Sequence, residues 1–441
     1  MLRRLQRNSF GYFTHEINPE NGLVLDKTTT DWPASIAAMG MALTAYPVGV
    51  ARRFIDRAEA ARLTLTMLRF LAMSEQSDAP DATGCKGFYY HFLDMASGRR
   101  AWHSELSSID TALLIAGVLT AATYFDGRAG AEGEIRELAR LLYERVDWDW
   151  MRAGGDTLCH GWRPEQGFLP YRWEGYDEAL ILYLLALGSP THPIQAPSYE
   201  AWCGTYEWKR IYDIEYLYAG PLFTHQLSHI WCDFRGIRDR FMRTHDADYF
   251  ENSRRATLVQ QRYAIENPMG FGHLGEWCWG ITASDGPGFV TRKIDGIQRV
   301  FFDYIARGAP YGPDDGTVAP WAVAACLPFA PEIVAPTLEE LGCIEVPLKN
   351  PYGFKASMNP IFREPGGDSA NGWVSPYHFG INEGPTVLMI ENYRSGMIWD
   401  LTCRCGPIVE GLRAAGFEGG WLKQAASKRA SARSARAKPT R

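Results

Sequence analysis

The sequence predicts an all-α protein, one domain in which paired antiparallel helices close into a ring. Three observations predict it. Apolar residues recur three and four positions apart along most of the chain. No alternation of strand and helix patterns appears, and no linker divides the 441 residues, although length alone is a soft guide to domain number. Residues 53–73 (RFIDRAEAARLTLTMLRFLAM) keep the helical rhythm without a break. Residues 111–125 are small and apolar on most faces, which predicts an inner, buried helix. The same pattern predicts helices over 134–143, 178–187, 223–234, 253–264, 297–306 and 319–329. Loops rich in Gly, Pro and aromatics join them at 18–31, 80–104, 156–175, 268–287 and 347–383. Loops of that length inside a compact domain are usually functional. No repeat of fixed period is visible, which disfavours a helical solenoid.

The domain is expected to span residues 1–420. Residues 421–441 (WLKQAASKRASARSARAKPTR) are rich in Ala, Ser, Lys and Arg and are expected to be a disordered tail. Formal net charge is −6, and seven basic residues with no acid lie in that tail, leaving the body at −13. A body so acidic argues against nucleic acid as a partner, since that requires a basic face, and none is expected. Hydrophobic residues make up 46% and charged residues 22%, as in soluble globular proteins. The 15 Trp, 21 Tyr and 21 Phe exceed what core filling needs and suit the stacking of pyranose rings.

Nine cysteines are scattered, with no spacing of a zinc knuckle or redox pair, and are expected to be reduced, buried thiols. The N-terminal MLRRLQRNSFGYF lacks the apolar core of a signal peptide. No apolar run is long enough to cross a membrane. The chain is therefore expected to be cytoplasmic, or periplasmic if an export signal has been removed. Oligomeric state is left open.

Five segments carry candidate chemistry. In residues 102–112 (WHSELSSIDTA), Glu105 and Asp110 sit where a loop becomes the buried helix. Ordinary helix-start chemistry, with Ser107 or Ser108 as the cap, explains Asp110 but not Glu105. In residues 173–179 (WEGYDEA), Asp177 and Glu178 stand beside Trp173 and Tyr176 at the entry to another apolar helix. They match the dipole of a helix start, yet a carboxyl in aromatic surroundings also has its pKa raised, as a general acid needs. Residues 221–235 (PLFTHQLSHIWCDFR) place His225 and His229 four apart. That spacing suits zinc only with a further ligand, which is missing, so hydroxyl binding or a satisfied core is favoured and no metal is expected. Residues 275–287 (GEWCWGITASDGP) offer Trp277 and Trp279 as stacking faces beside Asp285, although core filling explains paired Trp equally well. In residues 380–394 (GINEGPTVLMIENYR), Glu383 and Glu391 bracket an apolar stretch.

Taken together and in this order, these segments resemble the glycoamylase-like family, which includes endo-β-1,2-glucanases of glycoside hydrolase family 144. Related domains occur in cyclic β-1,2-glucan synthases. The similarity extends to residues 10–13 (FGYF), 18–24 (NPENGLV), 87–94 (GFYYHFLD), 188–193 (GSPTHP), 315–320 (DGTVAP) and 352–354 (YGF), and so covers roughly 5–420. The resemblance implies an (α/α)6 barrel with its pocket at one mouth, and inverting hydrolysis of β-glucosidic bonds, best matched to β-1,2-glucan. It gives Glu178 the place of the general acid, and Glu105 and Asp110 the acidic wall across the pocket. Glu383 stands where many relatives are expected to carry Gln, a departure that alters contacts or adds a titrating group.

The expected mechanism uses protonated Glu178 as acid and either Asp110 or Glu105 as base, with no cofactor. Trp231, Trp277, Trp279 and Tyr176 are the candidate stacking faces. Asp177, His229, Asp285, Arg235 and Glu383 are the candidate sugar contacts. A transglycosylase on the same glucans and a non-catalytic glucan-binding protein are the alternatives.

Overall fold

The computed structural model describes residues 1–345, 350–363 and 372–423. Fourteen α-helices organise them: α1 (Leu2–His15), α2 (Ile36–Arg52), α3 (Arg57–Met73), α4 (Ser108–Tyr124), α5 (Gly130–Arg145), α6 (Leu180–Leu187) and α7 (Ala196–Cys203). They continue as α8 (Arg240–Thr244), α9 (Tyr249–Glu266), α10 (Pro320–Ala325), α11 (Pro331–Glu345), α12 (Gly380–Ser395), α13 (Met397–Thr402) and α14 (Gly406–Ala414).

The core helices are apolar on nearly every face, so they have no side to offer water and must pack inside. Every residue of α6 is buried, and so are α2 from Ile36 to Gly49 and most of α4. These form an inner ring in which α2 packs on α4, α4 on α6, α10 on α12, and α12 back on α2. Between α6 and α10 the ring is completed by two 3-10 turns, Leu222–His225 and Leu227–Ile230. Ser228 Oγ donates to the Glu178 carbonyl at 2.9 Å and accepts from Ile181 N–H at 3.0 Å, tying the turns to α6. On the other side Gln226 Nε2 donates to the Ala322 carbonyl of α10 at 2.7 Å. Amphipathic helices cover the outside: α1 on α12, α3 and α5 on each other, α9 on the first 3-10 turn, α11 on α10 and α14 on α6. The alternation of outer and inner helices is that of an (α/α)6 barrel.

At the α2–α4 crossing the two backbones touch. A Cβ on Gly40 would lie 2.3 Å from the Leu113 carbonyl oxygen, and one on Gly117 only 2.2 Å from the Gly40 carbonyl oxygen. Two-residue strands pin the loops that feed the inner helices. Ala34–Ser35, just before α2, pairs with Phe92–Leu93. Leu106–Ser107, just before α4, pairs with Gly161–Arg163. Among the described residues no sheet exceeds three strands.

Most predicted helices are present, with shifted ends. Residues 53–73 break at Asp56, which precedes α3, and 178–187 becomes helical only at Leu180. Two predictions are corrected. Residues 223–234 are not one helix: the 3-10 turns end at Ile230 and the chain then runs on irregularly, while buried Gln226 and Ser228 bond to the neighbouring inner helices. Residues 297–306 begin as the strand Ile297–Phe301, which pairs antiparallel with Val290–Ile294. The Asp295–Gly296 pair, at φ 49° and 83°, makes the two-residue hairpin turn that an Asp-Gly dipeptide favours. The packed body also runs past residue 420: Leu422 is buried, and Trp421 Nε1 donates to the Asp233 carbonyl at 2.8 Å. The remainder of the basic tail, 424–441, lies outside the described residues, as does part of the 347–383 loop. None of the nine cysteines forms a disulfide.

Candidate active site

A cavity of about 510 Å³ opens where the inner elements present their N-terminal ends. Ser35 at the start of α2, Asp110 and Leu113 of α4, Glu178 just before α6, Trp321 of α10 and Asn382 of α12 all reach it. Phe223 and Leu227 of the 3-10 turns complete that floor. The walls come from loops, through Asp26, Lys27 and Trp32, through His91 and Phe92, and through Asp285, Asp303, Tyr304 and Phe379. Five carboxyl groups thus share the hollow with one lysine and one histidine. Positive helix ends make such a site tolerable for carboxylates. A hollow of comparable volume, about 540 Å³, lies on the outer ring beside α1 and α11, but Glu339 is the only acid among its described lining residues.

Asp110 is held at the first turn of α4. Ser107, the helix cap, accepts the Asp110 N–H at 3.1 Å and donates its hydroxyl to Asp110 Oδ2 at 2.5 Å. His91 lies between two acids, with Nδ1 3.1 Å from Glu105 Oε1 and Nε2 3.6 Å from Asp110 Oδ2. Burial disfavours its charge, but the carboxylates of Asp110, Glu105 and Asp26 outweigh burial and push the imidazole up to about 9. Glu105 moves the other way. Burial would raise it, yet His91 and the Arg163 guanidinium, 3.3 Å from Oε2, bring it down to about 2. Asp26 accepts from Trp32 Nε1 at 2.9 Å, and burial raises its carboxyl against that bond and the charges of His91 and Lys27.

Glu178 keeps a window on the cavity but is otherwise enclosed by protein. Burial lifts its carboxyl to about 7; its own backbone N–H opposes the lift and the Asp110 charge adds to it. Asp285 is also raised by burial, with the Ser375 hydroxyl donating to it at 2.8 Å.

Aromatic rings line the approach. Trp32 meets the exposed Trp102 edge-on at 4.5 Å, and Phe92 packs against Trp102 at 5.1 Å. On the far wall Tyr304 stands 6.4 Å from Phe379. Lys27 Nζ lies 4.1 Å from the Trp32 ring and 4.4 Å from the Tyr377 ring, a cation held by π faces.

Of the residues singled out in the sequence, Asp110, Glu178 and Asp285 meet in this cavity. Glu105 stands behind His91 and does not line it. Asp177 turns away: it accepts the Ala179 N–H at 2.9 Å, and burial, then Glu178, raises its carboxyl. Tyr176 is buried against Tyr249, Tyr206 and His225. His229 is fully buried, with Nε2 2.9 Å from Ser253 Oγ. Trp231 and Trp279 are wholly buried, their indole N–H groups donating to Thr44 and Thr337 at 2.9 Å. Indole rings spent on the core have no face left for a sugar. Arg235 pairs with Asp233 at 2.7 Å and lies over Trp399. Trp277 is partly exposed and outside the cavity. Glu383 is buried, with Oε1 2.8 Å from His378 Nδ1, so the expected extra titrating group sits in the packing and not in the pocket. Among the described residues no three His, Cys, Asp or Glu come together as a metal site, and no helix is long and apolar enough to cross a membrane.

Asp26, Lys27, Trp32, His91, Phe92, Asp303, Tyr304, Trp321 and Phe379 were not singled out in the sequence. Position was a usable signal only for Trp32 and Phe379, which stand just before α2 and α12; Trp321 lies within α10, and the others sit farther back in the long loops.

Residues 170–406 match the model of the glycoamylase family, described as putative glucoamylase. A curated relative, an exo-β-1,2-glucooligosaccharide sophorohydrolase from Parabacteroides distasonis, is 27% identical over 94% of this chain. The chain spans only 57% of that relative's length. The crystal structure of a putative glucoamylase from Bacteroides uniformis is 29% identical, with a TM-score of 0.82 over 96% of this chain and 98% of that one. A β-1,2-glucanase structure from Parabacteroides distasonis is 25% identical, with a TM-score of 0.80 over 94% of this chain and 59% of that one.

Proposed function

We propose that this chain, which belongs to the glycoamylase family, is an inverting glycoside hydrolase cleaving β-1,2-glucan or its oligosaccharides. The carrying observation is that Glu178 and Asp110, on adjacent inner segments, share one cavity while Glu178 is lifted to about 7. A carboxyl lifted this far has a proton to give, and a second acid in the same cavity can serve as its base. Glu178 gives its proton to the leaving glycosidic oxygen. Asp110 activates water on the other face of the sugar ring, directly or through a hydroxyl group. Inversion requires about 6.5–9.5 Å between the two carboxyl groups to admit that water. Glu105, withdrawn behind His91 and held ionised by it, is the weaker candidate for the base. The names of the sophorohydrolase and β-1,2-glucanase relatives support the choice of linkage. The rings of Trp32, Phe92, Tyr304 and Phe379 are the proposed stacking faces.

Because Glu178 acts only when protonated, turnover is expected to fall as pH rises through about 7. Incubation with a panel of linked glucans, followed by proton NMR, tests the reading. β-1,2-linked substrates should release sugars that appear first as the α-anomer. Glu178→Gln and Asp110→Asn should each lower kcat/KM by about 10²–10⁴-fold, the usual worth of general acid or base catalysis. Cleavage of other linkages in preference, initial release of the β-anomer, or wild-type rates in either variant would overturn it.

A further inference from the structure

His91 is fixed before its side chain does anything. Its N–H donates to the Glu105 carbonyl at 2.9 Å, and its carbonyl accepts the Ile36 N–H at 3.3 Å. The imidazole stacks on Phe92, with centroids 4.0 Å apart and planes 10° from parallel. In that pose Nδ1 reaches Glu105 Oε1 at hydrogen-bond distance, and Nε2 faces Asp110 Oδ2 at 3.6 Å, an ion-pair distance. Only the imidazolium carries a proton on both nitrogens. Glu105 is itself steadied on its other oxygen by Arg163.

The cavity poses a problem that this arrangement solves. Asp26, Asp110 and Glu178 line one hollow, and neighbouring carboxylates compete to keep a proton. A base needs its proton to go elsewhere. We propose that His91 is a positioning residue for the hydrolysis inferred above, a charged strut oriented by Glu105 that fixes the Asp110 carboxyl group and faces it with a positive charge beside Glu178. Glu105 thus serves the reaction through His91 and does not meet the sugar. The acidic groups facing His91 are Asp110, Glu105 and Asp26; Lys27 and Arg163 act on Asp26 and Glu105 in turn. With those three acids lifting it to about 9, His91 stays charged wherever Glu178 holds its proton. The strut rests on the hydrolase reading only for the name of the reaction; the contacts stand without it.

Two measurements test it. Histidine NMR titration of the intact protein should find His91 charged past pH 8, with its midpoint lowered by a unit or more in Glu105→Gln and Asp110→Asn. That is the effect expected of a charge at 4–6 Å. Second, kcat/KM on a β-1,2-gluco-oligosaccharide should be followed against pH. His91→Gln removes the cation that faces Asp110 Oδ2 at 3.6 Å. The acidic limb should therefore move up by a unit or more while the alkaline limb near 7 stays. Glu105→Gln, which leaves His91 in place, should move the same limb the same way by less, and serves if His91→Gln does not fold. A His91 midpoint at or below 6.5 overturns the strut. So does a His91→Gln rate lowered equally at every pH, the result of a merely structural role. If the protein cleaves no β-1,2-glucan yet His91 titrates high, the hydrolase reading fails and the strut stands. If it cleaves but the acidic limb does not move, the strut alone fails.

Discussion

At Glu178 the burial that makes a proton donor also works against folding. A carboxyl whose folded value is raised to about 7, from an ordinary 4.5, binds a proton more tightly in the folded chain than in the unfolded one. Below about pH 4 both states hold the proton and nothing is lost. As pH rises from 4.5 to 7 the unfolded chain ionises first, so stability declines over that window and is level above it. The size is up to about 3 kcal/mol, from 1.36 kcal/mol per unit. Glu178→Gln cannot ionise and escapes the loss. It should melt higher than wild type at pH 8, with the difference closing at pH 4, as denaturant titrations at the two values would read. Equal stability at both would mean that Glu178 is well solvated, and the acid assignment would go with it. The sequence showed Glu178 and Asp110 as acids beside aromatics at a loop-to-helix junction, and Asp285 as an acid closing a tryptophan-rich loop. It misled on Trp231, Trp279, Tyr176 and His229, since a residue type does not say which way the side chain points. It was silent on Asp26, His91 and Asp303, which stand far apart in the chain and meet only through the ring.

Helices were legible wherever a residue's own period decided its structure. Helix α4 was visible as an apolar stretch, and its Ser107 cap as an ordinary start signal. Period failed where another force won. In 297–306 the Asp295–Gly296 turn outweighs the apolar spacing, and the chain pairs as a hairpin. In 222–230 buried polar side chains bond to the helices on either side, and the backbone follows them into 3-10 turns. The α2–α4 crossing is a further feature that period cannot reveal, for it depends on what is missing at Gly40 and Gly117. Gly117→Ala should expose the dependence. The new Cβ meets backbone oxygen and not a movable side-chain tip, so the helices must part. Overpacking of this kind costs about 1–3 kcal/mol, and urea unfolding should show it as a lower midpoint at an unchanged slope. Since α2 and α4 carry Ser35 and Asp110 into the cavity, kcat should fall as well. A variant as stable as wild type would show that the crossing has slack.

The whole molecule turns six inner segments so that their starts face one opening. The partial positive charge of helix N-termini gathers there, which lets an acidic body keep five carboxyl groups in a space of about 510 Å³. The lining is drawn from every inner element, from the start of α2 to the start of α12, so a ligand in the cavity touches the entire ring. A bound oligosaccharide should consequently stabilise the fold as a unit. A ligand that binds only the folded state adds RT ln(1 + [L]/Kd), about 2.7 kcal/mol at a hundredfold excess over Kd. Glu178→Gln is the protein to use, because it should bind a β-1,2-gluco-oligosaccharide without consuming it. Scanning calorimetry should show one transition whose midpoint climbs with the logarithm of sugar concentration. Trp32→Ala, which removes a cavity ring and leaves the inner helices alone, should weaken that climb, and a β-1,4-linked sugar of equal length should produce little of it. A midpoint indifferent to the β-1,2 sugar would remove the ligand from this mouth, whatever the acids there can do.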